Sequence, residues 1–217
     1  MPGRRLARLL LEGERARLRP HRADDDGPAY ALLAGRQEIL RWLVWDGPRA
    51  VEELREYYGH WRFDAGGGSD FRLAIEERAS GALAGSISVR FGGHARTGDV
   101  GYWVGTPFQG RGLGGEALEL VAHLAFRHLA AEALVAWVFV GNAGSRRILE
   151  RTGFTLARSV PGRVLKQGRR VDEWHFVLLR EEWRRLRSDF RPACEEIEWE
   201  EASVDPLDSP ARPFPAG

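Results

Sequence analysis

The chain has a single cysteine, Cys194, so no internal disulfide can brace it and a reducing cytoplasm is the compartment that suits it. No apolar run approaches the roughly 20 residues that span a bilayer, which argues against a membrane partner. The Leu-rich start, Met1 to Leu11, has no small-residue cleavage site and runs straight into Glu12 and Glu14. It reads as an N-terminal extension, residues 1–11, not a secretion signal. His123 and His128 stand five apart, off the helical pairing interval, so the sequence offers no metal site. Net charge is only +1, too little to argue for nucleic acid. It does hide an asymmetry: residues 188–217 carry eight acidic side chains against Arg191 and Arg212, a net of −6 that leaves +7 on the body. Prolines at 192, 206, 210, 213 and 215 crowd that same tail, whose composition predicts disorder or loose docking.

What is present predicts one domain over residues 12–187. Ala16–Pro20 alternates like a short strand, and Asp24 or Asp25 is placed to cap a helix reaching about Ala34. Val51–Phe63 has helical spacing, and residues 65–69 form a glycine-rich loop. Strands are predicted over 71–75, 83–91 and 99–105, then a helix from Glu116 to about Ala131. A strand over 134–140, a helix over 143–151, and strands beginning at Phe154 and over 171–179 complete the pattern. This order predicts an α/β (α+β) fold with a mixed sheet.

The informative stretch is Gln109-Gly110-Arg111-Gly112-Leu113-Gly114-Gly115-Glu116. A strand enters it and a helix leaves it. Glycines let successive N–H groups converge, and the helix dipole adds about half a positive charge, so the turn suits phosphate. No Gly-Lys-Ser/Thr follows, which excludes a P-loop. Gly110, Gly112 and Gly115 do spell the dinucleotide fingerprint, but it lies a hundred residues from where a first strand would put it. A glycine loop that binds nothing is the plain alternative.

Together these residues resemble the GNAT N-acetyltransferase superfamily, most closely its Rim-type protein N-terminal acetyltransferases. Gln109, Gly112 and Gly114 fill the family's acyl-CoA signature. Glu14–Pro20, Arg41–Trp45, Gly101–Gly105, Asn142–Ser145 with Leu149–Phe154, and Leu179–Trp183 are similar to its flanking blocks, over about residues 12 to 184. The resemblance implies the GNAT fold, a mixed, mostly antiparallel central sheet flanked by helices. It implies acetyl-CoA as co-substrate and an amine acceptor, foremost a protein N-terminal α-amine, with a small-molecule amine or a non-catalytic acyl-CoA-binding module as the other readings. Oligomeric state stays open.

By this resemblance, backbone from Gln109 to Gly115, including Leu113, holds the pyrophosphate and Arg111 adds charge. Val104 would polarise the acetyl carbonyl in a gap between strands. Asn142 would contact the pantetheine arm and Ser145 would protonate the leaving thiolate. Asp99 is the candidate base, and Trp42 and Trp45 the acceptor-pocket walls. One departure stands out. Some Rim-type enzymes use a glutamate before the last strand, whereas Arg158 to Arg170 contains no acidic residue. Asp172 and Glu173 follow, with nothing to separate them from solvent-exposed charges.

Overall fold

The computed structural model describes residues 4–63, 70–92 and 96–201; the loop predicted over 65–69 and the tail beyond 201 lie outside them. The strands are β1 (Arg4–Glu12), β2 (Ala16–Pro20), β3 (Asp70–Glu77), β4 (Ala82–Phe91), β5 (Thr97–Val104), β6 (Ala133–Phe139), β7 (Thr155–Lys166), β8 (Arg169–Leu179) and β9 (Cys194–Glu201). The helices are α1 (Asp26–Leu33), the single turn α2 (Gln37–Leu40), α3 (Val51–Phe63), α4 (Leu113–Arg127), α5 (Ala143–Thr152) and α6 (Arg180–Leu186). All nine strands join one sheet in the order β7-β8-β6-β5-β4-β3-β2-β1-β9.

Period-2 alternation gives this sheet two apolar faces, and helices cover both. On one face α4 buries Leu118, Val121, Leu124 and Ala125 against Leu18, Leu73, Ile75, Ile87, Val100 and Leu134. On the other, α1 and α3 pack Ala29, Leu54 and Tyr58 onto Ala74 and Leu83. Leu33, Ile39 and Leu40 form a third cluster against Trp103. Every neighbouring strand pair is antiparallel except β5–β6. A repeating parallel sheet, which the dinucleotide fingerprint needs, is absent among the described residues.

Three expectations change. The helix predicted from Glu116 begins at Leu113, because Gly114 and Gly115 sit in its first turn. Asp25 is buried and takes a two-pronged bond from Arg19, at 2.7 and 2.8 Å. Burial pushes its carboxyl up, but the Arg19 fork and the Arg22 N–H outweigh it and hold the group below its usual range. The boundaries at residues 12 and 187 are not domain edges. β1 and β9 pair antiparallel at the end of the sheet, with Leu9 opposite Ile197 and Leu11 opposite Glu195. Acidic composition masked the strand: Ile197 and Trp199 turn toward the core, while Glu196 on the opposite face meets Arg8 at 2.6 Å.

Candidate active site

β5 and β6 pair over only three rungs, Thr97–Ala133, Gly98–Leu134 and Asp99–Val135. Beyond Asp99 each follows its outer neighbour, β5 with β4 as far as Val104 and β6 with β8 as far as Phe139. A wedge opens between them. The Gly105 N–H bonds Ala84 O at 2.8 Å, so strand alternation turns the Val104 and Tyr102 backbones the other way, into the wedge. There the Val104 carbonyl accepts the Gln109 side-chain amide at 2.9 Å.

At the mouth of the wedge the chain turns through Gly110 and Gly112, with φ of 76° and 85°, a region that glycine enters at little cost. The Glu116 N–H, on Gly112 O at 3.0 Å, opens the helical bonding. The six amides of Gly110 to Gly115 have no acceptor among the described residues. They form the N-terminus of a 15-residue helix, a site that favours anions. Gln109 differs from its neighbours. Its N–H bonds Thr106 O at 3.2 Å, so with its side chain on Val104 it shapes the loop rather than adding an amide to it.

Arg111 is also committed elsewhere, to Glu77 at 2.8 Å and over the Phe108 ring at 5.5 Å. The cation beside the loop is one the sequence did not single out, Arg15. Its Nη1 lies 3.1 Å from where a Cβ on Gly112 would stand. The β1–β2 turn carrying Arg15 is held by Glu116, whose carboxylate accepts N–H bonds from Glu14, Arg15 and Ala16 at 2.7, 2.8 and 2.5 Å. Gly114 packs tightly: a Cβ there would sit 3.3 Å from both Ile148 Cδ1 and Val104 Cγ2. Gly115 faces open space.

Across the wedge, Asn142 caps α5, its Oδ1 accepting the Ser145 N–H at 3.1 Å. Ser145 Oγ lies 2.9 Å from the Tyr102 hydroxyl. Burial pushes the Tyr102 phenol up to about 12, against a smaller opposing effect of the Ser145 bond. The phenol therefore stays protonated and can donate to Ser145 Oγ, leaving the serine's own hydrogen free to turn toward the wedge.

The opposite face of the sheet holds a second group of polar side chains. Asp99 stands on the last rung before the wedge; burial raises its carboxyl above the usual range, outweighing Arg90, Arg163 and His175. His175 stacks on Trp137 at 4.1 Å. Burial, then Arg158 and Arg163, hold its imidazole below its ordinary value, with Asp99 opposing them. Glu173 is buried and paired with Arg163; Asp172 stays exposed and accepts the Gly162 N–H at 2.8 Å. Trp42 comes within 3.8 Å of a Cβ placed on Gly141, just past β6. Trp45 packs between the two clusters under α1–α3, so its ring braces those helices. Its carbonyl and Asp46 receive Lys166, the only lysine in the sequence, at 3.0 and 2.5 Å. That contact fastens the β7–β8 hairpin to the 41–47 segment.

Residues 15–155 match the family described as Acetyltransferase (GNAT) domain. Two Bacillus subtilis (strain 168) proteins are similar to the chain. One carries the name "Probable N-acetyltransferase YjcK" and is 31% identical over 67% of this chain and 83% of its own. The other carries the name "Putative ribosomal N-acetyltransferase YdaF" and is 25% identical over 74% and 88%. Among solved structures, Mycobacterium smegmatis RimJ in complex with CoA-disulfide superposes with a TM-score of 0.71 at 22% identity, over 83% of this chain and 89% of that one.

Proposed function

Since the chain belongs to the GNAT acetyltransferase family, we propose that it moves the acetyl group of acetyl-CoA onto the α-amine of a protein N-terminus. One observation carries the donor half: six unpaired amides at the head of α4 open directly onto the wedge between β5 and β6. That arrangement suits a ligand with a pyrophosphate at one end and a narrow amide-bearing arm at the other. The acceptor half draws on the ribosomal N-acetyltransferase named among its relatives.

The chemistry is a single displacement. The amine lone pair attacks the thioester carbon, the C–S bond breaks, and its electron pair leaves on sulfur. The Val104 N–H, turned into the wedge, is the candidate donor to the oxyanion. Ser145, held by Tyr102, is the candidate proton donor to the thiolate. Asp99 is the candidate base, acting through water. An α-amine with a pKa near ~7.8 is roughly one-seventh neutral at pH 7, against less than about one in a thousand for a lysine near ~10.4. A base of modest strength therefore suffices for an α-amine.

The test is acetyl-CoA turnover against peptides with free or blocked N-termini and against a panel of small amines, with the acetylated atom located by mass spectrometry. Acetylation of free N-termini alone is expected. Turnover confined to small amines would overturn the acceptor assignment, and tight NAD binding without CoA binding would overturn the donor.

A further inference from the structure

At its far end, roughly 15 Å along the helix from the amide nest, α4 meets β9 through three polar side chains that acetyl transfer does not use. His123 Nε2 lies 2.8 Å from one Glu195 oxygen and His128 Nε2 2.6 Å from the other. The two rings are 5.6 Å apart, and Phe190 stands 5.8 Å from His123 on the apolar side. His123 is buried, His128 is half-buried and Glu195 is exposed.

We propose that His123, His128 and Glu195 form a binding site for a divalent transition-metal ion of the zinc class, which fastens the C-terminal strand to the end of α4. One nitrogen from each ring and a carboxylate oxygen already lie within 4.8 Å of one another. Zinc bonds of about 2.0–2.2 Å to such atoms would replace the two His–Glu195 hydrogen bonds, with the rings and the carboxylate parting slightly to admit the ion. Two imidazoles with one carboxylate select zinc-like ions over magnesium or calcium, which seek oxygen. Water fills the remaining position. The spacing rule overlooked the pair because His128 stands one residue past the end of α4, at φ −113°, where helical intervals no longer decide which side chains meet. The carboxylate comes from β9, 67 positions on, where sequence gives no hint of it.

The untagged full chain, stripped with a chelator and dialysed, is titrated with zinc chloride and separately with magnesium chloride by calorimetry, and melted with and without zinc. One zinc per chain, a higher melting temperature with zinc, and no magnesium uptake are expected. His128→Ala and Glu195→Gln, the second chosen to keep hydrogen-bonding capacity on β9, should each weaken zinc binding about tenfold or more while retaining the far-ultraviolet dichroism. Absence of stoichiometric zinc uptake, unchanged affinity in both variants, or equal affinity for magnesium would each overturn the site. None of these readouts depends on acetyl transfer.

Discussion

Tyr102 spans the wedge, placing its hydroxyl 2.9 Å from Ser145 Oγ. The strand that lines the gap is thereby tied to the helix on the far side. If Ser145 supplies the proton, Ser145→Ala should lower kcat about a hundredfold with little change in the KM for acetyl-CoA. Tyr102→Phe should lower kcat by less, and the double variant should fall no further than Ser145→Ala, because the two act as one unit. Full kcat in Ser145→Ala would end the proton-donor assignment.

Gly115 is the position at which to test the amide nest. A Cβ there meets no atom within 4 Å, so Gly115→Asp should fold normally and weaken CoA binding tenfold or more, about 1.4 kcal/mol, as read by calorimetry. Gly112→Asp should lose stability as well, because its φ of 85° strains any L side chain. Equal CoA affinity in Gly115→Asp and the parent would place the anion elsewhere.

Asp99 links stability to pH. Its folded-state carboxyl titrates above its usual range, so its stabilising contribution is complete below the unfolded pKa and is lost as pH rises through the folded one. Asp99→Asn should therefore melt no lower than the parent at pH 7–8, while kcat falls about a hundredfold or more if Asp99 is the base. Thermal melts and rates on the same samples check both halves.

Lys166→Ala releases the hairpin from Trp45 and Asp46. The expected result is a several-fold rise in KM for the acceptor with the KM for acetyl-CoA unchanged, measured by varying each substrate in turn. A rise in both would mean the contact supports the whole sheet.

Ending the chain at Ser188 removes β9 and uncovers the face on which Ile197 and Trp199 pack. The melting temperature should drop and the protein should associate, as exposed edge strands do. Scanning calorimetry and size-exclusion chromatography would show an unchanged melting temperature and elution volume if β9 were dispensable.

The middle of the sheet was legible in the sequence and its rim was not. Ala16–Pro20, Val51–Phe63 and the run from Phe71 to Leu179 announce themselves through alternation, helical spacing and glycine stops, which are local signals. β1 and β9 have little local signal: each is a strand because the other lies beside it, over 180 residues away. The glycine turn was equally visible, but which amides stay unpaired depends on Thr106 O taking the Gln109 N–H. Glu116, Arg15 and Tyr102 entered the site through contacts 43 to 102 positions apart or, for Arg15, through proximity to Gly112. Burial of Glu173 beside Arg163 likewise requires the folded hairpin.

The three-rung pairing of β5 with β6 leaves a sheet unzipped along its own middle, with two edges facing inward. Edges on the rim of a sheet invite other chains, yet these two lie inside the sheet, where the Tyr102–Ser145 bond ties β5 to α5. A donor whose arm carries amides would then serve as the missing strand. Its departure would leave the Tyr102 and Val104 amides open to exchange with solvent, so hydrogen exchange there would register occupancy even when no turnover occurs.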